Sequence, residues 1–266
     1  MINVQGFSNG FGLEQQKAML RMSTGTKINQ AADNAAGLAI SEKLRGQIRG
    51  ESMATRNMAD SQSLVRTAEG ALNQTHSALQ RMRELSVQAN NGMLTNSDRQ
   101  ALQQEFSQLR DTVDAIGRDT QFNTQSLLDG SAELLNTTTN ANGEGLEISI
   151  GNALSEQLGN ITTGSSLAEV DLVSNPRASL RIIDEAISQI SGNRANLGAI
   201  DNRLDISMNN SREAELNQAA ADSRLRDADI AKSAMELQKF QIMQQTYFST
   251  QRMNMGIMAS SIDLLR

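Results

Sequence analysis

Residues 230–266 read IAKSAMELQKFQIMQQTYFSTQRMNMGIMASSIDLLR, a proline-free run to the end of the chain. Within it Ile230, Ala234, Leu237, Gln241, Gln244, Phe248, Gln251, Met255, Met258, Ile262 and Leu265 follow one another in alternating steps of four and three. That spacing predicts one stripe on one helix face, which is stable only when buried against another helix. The stripe continues into the last residues, where an ordinary domain frays. A terminus that keeps its stickiest surface there is expected to join other chains. Leu237, Phe248, Met255, Met258, Ile262, Leu264 and Leu265 are the residues expected to carry that assembly. Met253, Met255 and Met258 add side chains that adapt to different neighbours as readily as they fill a core.

Working back toward the N-terminus, the same arithmetic recurs. Pro176 is the only proline, placed after Ser174 and Asn175, where a missing N–H does no harm at a helix start. Leu180, Ile183, Ile187, Ile190, Leu197, Leu204 and Met208 continue that helix. From Gln121 to Asn175 the texture changes to Gly, Asn, Ser and Thr. There Leu146-Glu147-Ile148-Ser149-Ile150 alternates as a half-buried strand does, and Asn142-Gly143 signals a hairpin turn. A small β-hairpin region is expected near 130–175. Ser97-Asp98-Arg99-Gln100 has the pattern of a capping box ahead of the stripe Leu102, Phe106, Leu109, Val113 and Ile116.

A longer helix is predicted from Ala35 to Asn90, carrying Leu64, Ala68, Ala71, Thr75, Ala78, Met82, Leu85 and Ala89. Asn90-Asn91-Gly92 stops it. Upstream, a helix is expected from Leu13 to the Thr24-Gly25-Thr26 pause, with residues 1–12 irregular because Gly6, Gly10 and Gly12 disfavour helix. The fold class is therefore mainly α: an elongated helical bundle or coiled coil with a small β-hairpin region, the N- and C-terminal helices being natural partners.

Composition narrows the function. Of 266 residues 38% are hydrophobic but only 3% aromatic, so Leu, Ile, Met and Ala carry the packing, as suits thin bundles. The net charge of -6, with no Lys/Arg block, argues against nucleic acid. No run of about 18 apolar residues predicts a membrane span. Cysteine is absent, which removes disulfides and thiolate chemistry. The start Met1-Ile2-Asn3-Val4-Gln5-Gly6 is not an ordinary secretory signal. With His76 the single histidine, neither a zinc peptidase motif nor a Ser-His-Asp triad can form. Asp227 and Asp229 read as charges on a solvated helix rather than a carboxylate pair. No catalytic, metal or cofactor site is expected. Asn136-Thr137-Thr138 and Asn160-Ile161-Thr162 match the short N-glycosylation pattern, which often arises by coincidence.

Two N-terminal segments closely resemble bacterial flagellins: LRMSTGTKINQAADNAAGLAI at Leu20–Ile40 and TAEGALNQTHSALQRMRELSVQ at Thr67–Gln88. SRLRDADIAKSAMELQKFQIMQQ and the final SSIDLLR resemble the family's C-terminal region. The resemblance implies a filament subunit for motility, exported through the flagellar secretion apparatus and polymerised at the distal tip. It implies terminal helices at 1–35 and 228–266 forming an inner coiled coil, a rod domain at 36–227, and no outer variable domain. It also implies a flagellin chaperone and a filament cap as partners, and an extracellular location, or a periplasmic one in a spirochaete. Thr26-Lys27-Ile28-Asn29 stands where the family often has Leu-Arg-Ile-Asn, and the N-terminal side of the coiled coil is expected to be short. A hook–filament junction protein is the structural alternative; a flagellin-embedded peptidase would need a metal motif that one histidine cannot supply. Finally, LQRMRELSVQ at Leu79–Gln88 is similar to the segment through which the vertebrate Toll-like receptor for flagellin binds monomers, which assigns Arg81, Leu85 and Glu105 as expected receptor contacts.

Overall fold

The computed structural model describes the backbone of residues 4–131, 134–160 and 164–263, and side chains within 12–257 of these. Among the described residues are five α-helices: α1 Val4–Thr24, α2 Ala35–Ala89, α3 Asn96–Asp119, α4 Pro176–Arg226 and α5 Ile230–Asp263. Between α3 and α4 lie two antiparallel strand pairs, β1 Gln121–Phe122 with β2 Gln125–Ser126, and β3 Leu134–Thr138 with β4 Gly145–Ser149. The chain divides into two units, residues 49–215 and residues 1–48 with 216–266. That division falls further into α2 and α4 than the expected 35 and 228.

The 49–215 unit buries its own stripes. On α2, Leu64, Ala68, Thr75, Ala78, Met82, Leu85 and Ala89 are all buried, as the four-three spacing predicts. Phe106 and Val113 come from α3, and Ile183, Ile190, Leu197, Leu204 and Met208 from α4. The sheet supplies Leu146 and Ile148, alternate residues of β4, with Ile150 just beyond. Burying a side chain of this size contributes roughly 1.5–3 kcal/mol, so this unit has what it needs to fold. Ion pairs such as Arg66–Asp201 at 3.3 Å and Arg83–Asp184 at 2.6 Å join α2 to α4 across its surface; being exposed, such pairs add little to stability.

Helix boundaries follow local chemistry. The cap of α3 is Thr95, not Ser97: Thr95 Oγ1 accepts the Asp98 N–H at 3.3 Å while Asp98 Oδ2 accepts the Thr95 N–H at 2.9 Å. Asp98 thus fills the third position of the box, a role the sequence reading gave to Gln100. These bonds, the Thr95 hydroxyl foremost, hold the Asp98 carboxyl below its usual range. Pro176 opens α4 at its first position. In the β3–β4 turn, Asn140 Oδ1 accepts the N–H groups of Asn142 and Glu144, both at 3.0 Å, and Gly143 has φ +85°. The turn docks on the helices through Ser211 Oγ, which donates to Thr139 O at 3.2 Å, and through Ala141 N–H, which donates to Glu51 Oε1 at 3.3 Å.

The other unit is built differently. Helix α1 begins at Val4, contrary to the irregular 1–12 expected from its glycines. A glycine inside a helix costs about 1 kcal/mol relative to alanine, but α1 packs along α5, and that contact outweighs the propensity. At 21 residues α1 is shorter than the 34 of α5.

Candidate assembly surface

The breaks between helices in this unit are tied together. Gly25, with φ +69°, turns the chain out of α1. Lys27 N–H donates to Arg226 O at 2.6 Å, and Ala228 N–H donates to Gly25 O at 2.9 Å, a two-bond antiparallel bridge. Lys27 Nζ adds a bond to Arg224 O at 2.8 Å. Beside them Asp222 accepts from the Ser41 hydroxyl and from Arg45 Nε, the latter at 3.1 Å. Burial alone would raise the Asp222 pKa, but these bonds and the Arg45 and Arg226 charges outweigh it and hold the carboxyl below its usual range. An open cleft of about 410 Å³ here is lined by Arg21, Lys27, Asp33, Asp227, Lys232 and Glu236 among others. Its cations and carboxylates offset one another, so it favours no charged ligand.

Along α5 the seam is rotated from the one expected. Ser233 is buried and Leu237, Phe240, Gln244, Tyr247 and Gln251 are half-buried, again in steps of four and three. The predicted stripe shares Leu237, Gln244 and Gln251 with it. Its remaining members split: Ala234 is half-buried, while Ile230, Gln241, Phe248 and Met255 are exposed. Met235, Ile242, Met253 and Ile257 are exposed as well, as are Leu13, Met19 and Leu20 on α1. Helix α5 is thus apolar on more than one face, and one neighbour cannot cover it. Phe248 stands 51% exposed and Met255 62%. The backbone at Met258 and Ile262 is helical, but their side chains, and Leu264 and Leu265 altogether, lie outside the described residues.

In the whole of this unit, Ala18 and Ile28 are the buried hydrophobic residues among those described. That imbalance is the strongest functional signal in the molecule. Where large apolar side chains are left uncovered in such number, they mark an interaction site.

The expected receptor residues meet in the 49–215 unit, with one correction. Arg81 on α2 forks: its Nε and Nη2 donate to Glu105 Oε1 at 3.0 and 2.8 Å, and Nη1 donates to Glu84 Oε2 at 2.9 Å. The bonds to Glu84 and Glu105 raise the arginine's pKa above its ordinary value. Leu85, however, is 1% exposed and belongs to the core, so it offers no apolar anchor at the surface. Four residues on a helix turn by about 40°, enough to carry Leu85 under the edge while Arg81 stays in water. Glu84 was not singled out from sequence; its i,i+3 spacing from Arg81 was the available signal.

No three His, Asp or Glu side chains converge as a ligand set among the described residues. His76 Nε2 pairs with Gln80 Nε2 at 2.9 Å, a local helix-surface contact. No described helix is long and apolar enough to cross a membrane.

Comparison with known proteins agrees with this picture. The bacterial flagellin N-terminal helical region matches residues 11–133, and the bacterial flagellin C-terminal helical region matches residues 180–257. A flagellin of Halalkalibacterium halodurans is 44% identical over 238 residues, covering 89% of this chain and 86% of that protein. The flagellar filament core protein flaB2 of Brachyspira hyodysenteriae is 37% identical over 258 residues, covering 92% and 90%. The crystal structure of Bacillus cereus flagellin is 32% identical, with a TM-score of 0.49, covering 59% of this chain and 88% of that one. With two family regions matching in order over more than half its length, the chain belongs to the bacterial flagellin family.

Proposed function

We propose that this chain is a structural subunit that polymerises into a flagellar filament for motility. The observation that carries the reading is the apolar surface left on α1 and α5 after they have packed on each other. Copies of the same unit are its natural cover. A head-to-tail contact that does not close generates an open helical polymer. In that polymer the terminal helices at 1–35 and 228–266 form the inner coiled coil. Thin terminal helices with so small a core are marginal alone, which suits passage through a narrow export channel before assembly. An export apparatus, a chaperone that shields the terminal helices, and a distal cap are the partners this route calls for. The filament lies outside the cell, or in the periplasm should the source be a spirochaete.

Flagellins are a structural family, and the similarity to a filament core protein favours the filament over a junction ring. Sedimentation and electron microscopy of purified protein test the reading: long pelletable filaments support it, and rings or persistent monomers under all salt conditions reject it. A second proposal concerns free monomers. Arg81 and Glu105, exposed and paired, are the receptor-facing groups, with Leu85 supporting the helix from beneath. A reporter-cell assay with Arg81→Ala and Glu105→Ala monomers tests it; a silent wild type rejects it.

A further inference from the structure

An asparagine followed by glycine is chemically unstable, because glycine has no Cβ to shield its nitrogen from the asparagine side chain. The chain has three such pairs: Asn9-Gly10 in α1, and Asn91-Gly92 and Asn142-Gly143 in the 49–215 unit. The latter two both sit in exposed turns, but in different slots. In a β-turn the first carbonyl accepts from the fourth N–H, and the second N–H is left free. Gly143 is the fourth residue of its turn and donates to Asn140 O at 3.2 Å. Gly92 is the second residue of a turn closed by Leu94 N–H on Asn91 O at 3.2 Å, and its own N–H has no partner among the described residues.

The side chain of Asn91 is also prepared for attack. Met93 N–H donates to Asn91 Oδ1 at 3.1 Å, polarising the carbonyl whose carbon is the electrophile. The Arg99 guanidinium lies beside this turn: Nη2 donates to Asn91 O at 3.5 Å, and Nε is buried without a partner among the described residues. A cation there favours both the deprotonated Gly92 nitrogen and the oxyanion that forms. By contrast, Asn140 Oδ1 holds the N–H groups of Asn142 and Glu144, both at 3.0 Å, so that turn is tied at its centre. We infer that Asn91 is the site of spontaneous succinimide formation in this unit, and that Asn142 is protected by its turn. Hydroxide removes the Gly92 amide proton, and the nitrogen bonds to Asn91 Cγ. The tetrahedral intermediate collapses with cleavage of the Cγ–Nδ2 bond, and Nδ2 takes a proton from water and leaves as ammonia. Water then opens either ring carbonyl, giving aspartate or isoaspartate. The sum is asparagine plus water to aspartate plus ammonia. The new carboxylate falls beside Arg99, and isoaspartate inserts an extra backbone carbon between α2 and α3.

The test is incubation of the folded full chain at mildly alkaline pH, with aspartate and isoaspartate at each site followed by chromatographic and mass peptide mapping. The same chain in concentrated urea is the control for sequence alone. Breaking a backbone hydrogen bond before attack slows a reaction roughly three- to tenfold, so Asn91 is expected to convert about tenfold faster than Asn142 in the folded chain. In urea the two rates should converge. Gly92→Ala should slow Asn91 severalfold; the space there is open and φ lies outside the left-handed region, so the fold tolerates the methyl. Asn140→Ala should speed conversion of Asn142 by releasing its turn. Asn142 converting as fast as Asn91 in the folded chain would overturn the inference, as would a preference for Asn91 that persists undiminished in urea.

Discussion

Two sets of helices in this molecule carry apolar residues along their length, yet bury them to opposite extents. In the 49–215 unit, α2, α3 and α4 close on Leu72, Leu79, Met82, Phe106, Ile183, Ile190 and Leu204, each at or near zero exposure. In the terminal unit α1 and α5 pack together but leave Leu13, Met19, Ile242, Phe248, Met253 and Met255 at half exposure or more. Pattern alone says that a helix will be buried; it does not say in which molecule. One unit finds its cover within the chain, and the other has to import it.

The contrast breaks most visibly at the tail. Removing residues 262–266 deletes Leu264 and Leu265, and each Leu lost from a packed interface costs about 2–5 kcal/mol. The expected outcome is loss of pelletable filament with an unchanged thermal transition for the 49–215 unit, read by sedimentation and circular dichroism. Filaments of normal yield would show that the terminal stripe is not the assembly surface. Phe106→Ala reverses the pattern. It empties a fully buried site and is expected to destabilise the monomer by about 3–5 kcal/mol, seen as a lower urea midpoint.

How much of this was legible in the sequence depends on whether a residue's partner lies in the same chain. The stripes of α2 and α4 were read correctly because polar residues flank them and fix the face. On α5 apolar residues occur on several faces, so Phe240 and Tyr247 compete with Gln241 and Phe248 for the seam within the chain, and spacing alone does not say which pair is covered there. Helix α1 was missed from Val4 to Gly12 because its glycines argue locally against the helix that α5 supports. The β1–β2 hairpin escaped notice because two-residue strands show no alternation, and its turn uses Asn123 and Thr124 at φ 48° and 65° rather than a glycine. Leu85 was expected to touch a receptor through the family resemblance, although its four-three spacing already put it in the stripe that is buried.

Smaller effects sharpen the comparison. Phe248→Ala is expected to leave monomer unfolding unchanged, because its ring is half exposed in the single chain. It should raise the critical concentration for polymerisation about five- to thirtyfold, corresponding to about 1–2 kcal/mol per contact. A monomer destabilised by that change would place Phe248 in the monomer's own seam. The smallest effect is at Asp222. Its folded-state pKa is depressed, so its bonds to Ser41 and Arg45 contribute stability that is present above about pH 4 and lost as pH falls through the lowered folded value. Acid titration followed by proton exchange in residues 41–45 and 222–226 is expected to show loosening in that window, and Asp222→Asn to abolish the pH dependence there.

Hydrogen exchange compared between monomer and filament tests the central claim most directly. Fast exchange is expected over roughly 4–35 and 228–263 in the monomer and strong protection of both segments in the filament, with residues 49–215 protected throughout. Equal protection of the terminal segments in the two states would contradict it, because the terminal helices would then be stable without a neighbouring chain.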